Sequence, residues 1–275
     1  MPTRAWRLPA YYYALLALLY LPLAVLLLFA FNAGTILAFP LKGFTLQWFA
    51  RLFANEALMR SLRNSLVVAA GSSVVATALA TCGAIGFVRF QFRGKGLFIT
   101  VVLLPLYVPF VVLGAALLLF FSTLGIPRSL FTIAAAHSVV SLPYALLIVT
   151  ARLVGFDPHL EEAALNLGAD YWQTLRRVIL PLIAPAILAA WLTAFTVSFD
   201  EFAIANLVAG REPTLPVYLY SQLRMTARLP LVVAMAALVM VGTLSIFFAL
   251  VWLRRILART PASAAGVTSG LTAPT

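Results

Sequence analysis

Two adjacent carboxylates, Asp200 and Glu201, interrupt one of the apolar stretches of this chain. A charged side chain is costly inside a lipid bilayer and usually faces protein or water. On a helix, Thr193 and Thr196 share the face of Asp200, whereas Glu201 lies about 100° away. These four residues are therefore candidates for the wall of a solute pathway. We expect Asp200 to face that pathway and Glu201 to lie at a helix interface or at the water line. An acidic wall would attract a cationic solute.

Two other interpretations of these carboxylates stay open. Both side chains could lie at the outer membrane interface and merely pair with an arginine, Arg211, Arg224 or Arg228. Asp200 could instead be the coupling carboxylate of a transporter driven by a proton or sodium gradient, which would need no ATPase. Aromatic side chains within a span more often serve packing than binding, but some lie close enough to offer cation–π contacts: Trp191, Phe195, Phe199 and Phe202.

The sequence contains no recognisable enzyme site. It lacks the GxxxxGK[ST] phosphate loop, and no Cys, His or carboxylate cluster has the spacing of metal ligands. His137 stands alone in an apolar span, and we expect it to be a hydrogen-bonded residue between helices. We therefore predict no catalytic residue, no metal and no cofactor bound by this chain.

A second polar region, residues 155–181, contains four of the eight acidic residues of the chain. Asp157 is a suitable N-cap for a short helix, and Gly168 is placed to end that helix in a left-handed conformation. Asp170 can cap a second helix, which we expect Pro181 to end. The pattern predicts two short helices joined by a glycine hinge.

The composition identifies the solvent of this protein as lipid. Hydrophobic residues make up 63% of the 275 residues and charged residues 10%, and the mean hydropathy is +1.03. A soluble domain could not bury so much apolar surface. The net charge of +11 does not indicate nucleic-acid binding, because the basic residues are scattered between apolar spans. The fold class is predicted to be an all-α polytopic membrane protein.

Six transmembrane helices position these polar residues, within one membrane domain of residues 1–260 and ahead of a disordered tail, 261–275. The predicted spans cover residues 8–31, 64–88, 97–121, 130–151, 182–208 and 229–253. Each exceeds the roughly 20 residues that a crossing helix needs. The first could be read as a signal peptide, but it exceeds the roughly 7–15 apolar residues of one, which favours a retained anchor.

Six spans place both termini on the same side of the membrane. If the termini are cytoplasmic, eleven of the nineteen Lys and Arg residues lie inside and eight lie outside. This excess agrees with the positive-inside rule, although it is small. The orientation places residues 155–181 in the cytoplasm.

One motif in this cytoplasmic region resembles the EAA motif of permease subunits of ATP-binding-cassette importers. The matching residues are Glu162, Ala163, Ala164, Gly168, Leu180 and Pro181. Val178 stands where the family has Ile, which is a conservative departure. Within that family the chain resembles the spermidine/putrescine permeases. The residues that suggest them are Asp200 and Glu201, the run Thr214-Leu215-Pro216, and then Tyr218 and Tyr220. Permeases for other small solutes share much of this pattern.

The resemblance implies the type I importer fold and a set of partners in a bacterial inner membrane. A second permease subunit, usually a different chain in this subfamily, would complete the pathway. Two ATPase subunits would bind the ATP, and a periplasmic binding protein would deliver the solute. The segment Pro158–Leu167 would be the coupling helix, with Ala163 and Ala164 fitting a groove on the ATPase and Glu162 contacting a basic group there. The solute implied is a polyamine.

Overall fold

The structure is a computed structural model that describes residues 7–155 and 157–259, and every regular element in these ranges is a helix. The helices are α1 (Arg7–Ala30), α2 (Gln47–Phe53), α3 (Glu56–Arg89), α4 (Lys95–Leu103), α5 (Phe110–Thr123), α6 (Leu130–Val154), α7 (Pro158–Asn166), α8 (Tyr171–Thr174), α9 (Leu180–Asp200), α10 (Ala203–Val208), α11 (Leu215–Leu223) and α12 (Leu229–Arg259). Short 3₁₀ turns cover Leu104–Leu106 and Thr226–Arg228, and a π-helical turn covers Leu175–Ile179. The predicted all-α class is confirmed. The predicted tail, 261–275, lies outside the described residues.

The described residues divide into two compact units, and the smaller one contains those up to Leu52 and those from Met225 to Arg259. Within it α1 packs against α12. The segment after α1 is folded around Asn32, whose side-chain oxygen accepts the backbone N–H groups of Gly34 and Lys42 at 3.2 and 3.1 Å. The carbonyl of Asn32 also accepts the indole N–H of Trp48 at 2.8 Å.

The larger unit, residues 53–224, is built on three mutually packed helices, α3, α6 and α9. Small side chains allow their close approach: the fully buried alanines include Ala80, Ala84, Ala145, Ala190 and Ala194. A second apolar cluster joins α5 and α10 to the same helices. This unit contains all of the candidate site residues.

Among the described residues, four helical segments are long and apolar enough to cross a membrane by themselves: Tyr11–Ala30, Glu56–Arg89, Leu130–Val154 and Tyr171–Asp200. The bent pair Lys95–Leu106 and Phe110–Thr123 would be a fifth, and α12 begins where the sixth was expected. The count of six stays a prediction. Helix α3, which contains the predicted second span, begins at Glu56, because the side chain of Asn55 caps it by accepting the N–H of Leu58 at 3.0 Å.

The predicted third span, 97–121, is not one straight helix. Its two halves meet at an angle of 109° around the short break before Phe110. Pro105 and Pro109 lie in this region, and Pro109 itself has an extended backbone, with φ −55° and ψ 133°. A proline cannot donate to the preceding turn and its ring excludes the carbonyl there, which explains the break.

The expectation that Pro181 ends a helix is wrong. Helical structure runs without interruption for 30 residues, from Tyr171 to Asp200. Pro181 lies just after the π-helical turn Leu175–Ile179. The wider turn provides space for the proline ring beside the carbonyl that has lost its donor, so the helix continues through it.

Candidate functional site

The polar region after α6 has the helix–glycine–helix form that its sequence predicts. The Asp157 side chain caps α7 by accepting the N–H of His159 at 3.0 Å, and Asp170 caps α8 by accepting the N–H of Gln173 at 2.7 Å. Between these helices Gly168 has a φ of +88°.

Gly168 is the centre of a Schellman motif. Its own N–H donates to the carbonyl of Leu165 at 2.9 Å, and the N–H of Ala169 donates to the carbonyl of Ala164 at 3.1 Å. These two bonds use carbonyls at the end of α7 that would otherwise lack a partner. The motif fixes the angle at which the chain leaves α7.

No residue of α7 is buried within this chain. Its exposed apolar side chains are Leu160 and Leu165, each slightly under half exposed, and Leu167 follows at 89% exposure. Ala163 is exposed and Ala164 half-buried, while the Glu162 carboxylate is exposed and contacts His159 at 3.3 Å. An amphipathic helix with an open apolar face and small residues can serve as a surface for close docking of another protein.

An ion pair that the sequence does not indicate ties α7 to the end of α3. The Arg89 guanidinium lies 3.0 Å from the Glu161 carboxylate, and both side chains are only 17% exposed. The rings of Phe90 and Tyr171 meet edge to face beside them, with centroids 5.9 Å apart. The neighbouring acid Glu162 stays free of this contact and faces outward. Leu180, half-buried, packs on the adjacent apolar cluster, whereas Pro181 is exposed.

The fifth predicted span, 182–208, breaks at the two carboxylates. Helix α9 ends at Asp200, and Glu201 has an extended backbone with φ −70° and ψ 120°. The Glu201 carboxylate then accepts the backbone N–H groups of Ile204 and Ala205, both at 2.9 Å. A side chain thus takes the place of the backbone acceptors, which explains why the helix does not continue to residue 208.

Glu201 is buried and belongs to a polar network that crosses three helices. Its carboxylate lies 3.2 Å from Nε2 of His137, a close contact that is not aligned as a hydrogen bond. Nδ1 of His137 is bonded to the hydroxyl of Ser198 at 2.8 Å, and Ser72 donates to the same hydroxyl at 2.8 Å. His137 is therefore the hydrogen-bonded residue between helices that was expected. Glu201 lies at a helix interface and pairs with His137 rather than with an arginine.

Asp200 faces the other way. It is exposed, as is Thr196, and Thr193 is half-buried on the same face of α9. The two threonine hydroxyls donate to carbonyls of their own helix, at 2.9 Å each. Within the described ranges, no ion pair includes Asp200. The structure thus brings together three of the four candidate pathway residues and separates Glu201 from them.

A row of aromatic rings lies beside this polar face. Trp191, Phe195 and Phe199 follow one another along α9 with ring centroids 5.9 and 6.0 Å apart. Trp191 also lines a cavity of about 560 Å³ between α3 and α9, together with the buried Thr77 and Thr81. Among the residues that the structure describes, none forms a hydrogen bond with the Thr77 hydroxyl. A polar group beside aromatic rings can bind a solute with both charged and apolar parts.

Comparison with known families gives one match, over residues 72–259, to the family described as binding-protein-dependent transport system inner membrane component. The spermidine/putrescine transport system permease protein PotC of Escherichia coli K12 is 33% identical over 232 residues, which are 84% of this chain and 87% of the relative. The putrescine transport system permease protein PotI of the same strain is 35% identical over 242 residues, 85% of each chain.

A third relative, matched over a shorter region, is a probable molybdenum ABC transporter permease of Haloferax volcanii, which is 36% identical over 60% of this chain and 65% of the relative. Among solved structures, a bacterial ABC transporter for import of the acidic polysaccharide alginate matches with a TM-score of 0.68 and 22% identity, over 92% of this chain and 96% of that one. The alginate transporter in complex with its periplasmic protein matches with a TM-score of 0.63 and 20% identity, over 87% and 91%. These two structural matches support the type I permease fold.

Proposed function

Because the chain belongs to the family of inner-membrane components of binding-protein-dependent transport systems, we propose that it forms part of the pathway for import of a polyamine such as spermidine or putrescine. The family assignment makes it a permease subunit of an ATP-binding-cassette importer. Two relatives named for polyamine transport, each aligned over more than four fifths of this chain, carry the proposal of the cargo.

The geometry of α9 supports a cationic solute. An exposed carboxylate, that of Asp200, follows directly after three aromatic side chains along one helix. Coulomb attraction would hold an ammonium group at Asp200, and aromatic faces would accept further ammonium groups or the alkyl chain between them. Thr193 and Thr196 would add polar contacts along the same wall.

The ATPase is a separate chain in this proposal, and the permease catalyses nothing itself. Helix α7 docks on the ATPase through its exposed apolar side chains, with Ala163 and Ala164 permitting a close approach and Glu162 contacting a basic group. The absence of any fully buried residue in α7 supports this role. A second permease, of a different sequence, completes the pathway, and a periplasmic binding protein supplies the solute. The protein lies in the bacterial inner membrane, with both termini in the cytoplasm.

In this proposal, α3 moves as a rigid body and transmits the movement of α7 across the membrane. When the ATPase pair closes on ATP, α7 moves as a unit and the Arg89–Glu161 ion pair passes that movement to the end of α3. With 34 residues, α3 is about 50 Å long. The N-terminal third of α3 is bonded to the start of α11 and the residues just before it. Ser65 accepts the N–H of Leu215 at 2.7 Å, and Asn64 donates to the carbonyl of Pro213 at 3.2 Å. Movement at the ATPase thereby reaches the outer end of the pathway.

The test is reconstitution of the complex, with its partner permease, ATPase and binding protein, in lipid vesicles. We expect spermidine or putrescine with the binding protein to stimulate ATP hydrolysis and to enter the vesicles only when ATP is present. Stimulation by molybdate alone would leave the permease function intact and contradict the cargo. Polyamine uptake on an ion gradient without the ATPase would instead favour the gradient-driven alternative.

A further inference from the structure

We propose that the buried residues His137, Ser198 and Glu201 are positioning residues, which end α9 at Asp200 and hold the Asp200 carboxylate at the pathway. The proposal rests on the proposed function, because it assumes that the exposed face of α9 contacts the solute. In this proposal His137, Ser198 and Glu201 do not contact the solute themselves.

The hydrogen bonds around the break show how a side chain ends the helix. In an uninterrupted α-helix, the N–H groups of Ile204 and Ala205 would donate to the carbonyls four residues earlier, those of Asp200 and Glu201. Both instead donate to the Glu201 carboxylate at 2.9 Å. The carboxylate thus competes with the helix for the same two donors, and α10 starts as a separate helix.

The imidazole of His137 ties this carboxylate to the end of α9. A carboxylate that is 6% exposed needs several polar partners to remain stable. His137, on α6, contacts Glu201 with one ring nitrogen at 3.2 Å and Ser198 with the other at 2.8 Å. Ser72 extends the network to α3. One side chain of α6 therefore holds both the last turn of α9 and the acid that follows it.

The tether and the exposed carboxylate lie on opposite sides of the same helix turn. Ser198 and Glu201 are buried against α6 and α3, whereas Thr196 and Asp200 are exposed. Because the last turn is held from behind by directional bonds, its rotation about the helix axis is fixed. That rotation decides where Asp200 points.

Helix α10 is held in place as well, so the break cannot close by a small shift. Gly114 of α5 packs so tightly on α10 that a Cβ there would lie 2.9 Å from the side chain of Leu207 and 3.1 Å from the Cα of Ile204. Ile204 is fully buried. A continuous helix would have to move α10 out of this contact.

The first test measures the break directly and needs no transported solute. In Glu201→Gln, one of the two backbone N–H groups loses its acceptor and the other keeps only a neutral carbonyl oxygen. We therefore expect hydrogen exchange of residues 202–208 in the assembled complex to accelerate about tenfold. Asp200→Asn is the matched control, because Asp200 accepts neither bond, and its exchange should equal that of the unaltered protein. Ser198→Ala is a smaller change that should also accelerate hydrogen exchange of residues 202–208. It provides the test if the Glu201→Gln complex does not assemble. Unchanged exchange in the assembled variants would overturn the proposal.

The second test asks whether Glu201 acts through Asp200. Asp200→Asn and Glu201→Gln should each raise the KM of uptake, and the double variant should raise it no further than Asp200→Asn alone, since a misplaced carboxylate and an absent one are equivalent. The proposal would be overturned if the rise in KM of the double variant equalled the product of the two single effects. It would also be overturned if the variants lowered only the amount of assembled complex, which would show an independent structural role. If the unaltered complex imports no polyamine, the proposed cargo fails while the exchange result still stands.

Discussion

Replacement of Gly168 should weaken coupling between ATP hydrolysis and transport while the permease still inserts in the membrane. Gly168 has a φ of +88°, and a Cβ built on it meets no atom within 4 Å. The cost of Gly168→Ala is therefore conformational and not steric, about 1–2 kcal/mol for a left-handed L-residue. An energy of this size changes the equilibrium between the capped and uncapped ends of α7 by a factor of about 5–30.

The series of side chains at this position makes the prediction specific. Asn tolerates the left-handed conformation and should retain most of the coupling, whereas Ala should lose more and the β-branched Val should lose most. The assay is the number of solute molecules imported per ATP hydrolysed by the reconstituted complex. Amounts of assembled complex are measured in parallel.

Gly94 provides a matched control within the same chain. It also has a φ of +88° with no atom within 4 Å of a Cβ, but it precedes α4 and lies outside the α7 motif. Gly94→Ala carries the same backbone cost and should leave the import ratio unchanged. If both alanine variants lose coupling equally, or if Asn is no better than Val at position 168, then the rigid angle after α7 does not matter for transport.

Two further predictions concern the packing of the larger unit. Arg89→Glu and Glu161→Arg should each reduce uptake severalfold, because each places like charges at a contact that is now 3.0 Å. The double exchange restores opposite charges and should recover much of the lost uptake. If the double variant takes up no more solute than either single variant, the ion pair has no role in coupling. Gly114→Ala should lower the melting temperature of the complex, since overpacking of a core, here against Ile204, typically costs about 1–3 kcal/mol. Gly86→Ala in α3 is the control: a Cβ there meets no atom within 4 Å, so this variant should be neutral or stabilising. A loss of stability shared by both variants would contradict the close-packing explanation.

Local chemistry made the ends of the short helices predictable. Asp157, Gly168 and Asp170 act through hydrogen bonds to residues two or three positions away, so the neighbouring sequence contains nearly all that determines these helix ends. The motif resemblance to ATP-binding-cassette permeases depends on the same compact segment, and the family matches confirm it. The hydrophobic composition and the helix period likewise determined the all-α membrane fold, because both depend on the chain's own side chains.

Contacts between residues that are far apart in the sequence were determined only by the tertiary structure. Pro181 was expected to end a helix, but the helix Tyr171–Asp200 continues through it, after a π-helical turn in which Leu175 and Ile179 are buried. The partner of Glu161 is 72 positions away in the sequence, at Arg89, and no spacing rule indicates it.

The two adjacent carboxylates show the same division most clearly. The sequence alone predicted that Asp200 and Glu201 lie on different faces, since neighbouring residues on a helix are about 100° apart. The two side chains do point apart, but α9 ends at Asp200 and Glu201 lies beyond it in an extended conformation. The sequence did not indicate which side chains would contact these carboxylates, because His137, the partner of Glu201, lies on another helix 64 positions earlier. Only the packing of α6 against α9 buries Glu201, ends the helix there and leaves Asp200 exposed, because a buried carboxylate is stable only where several polar partners from different parts of the chain converge.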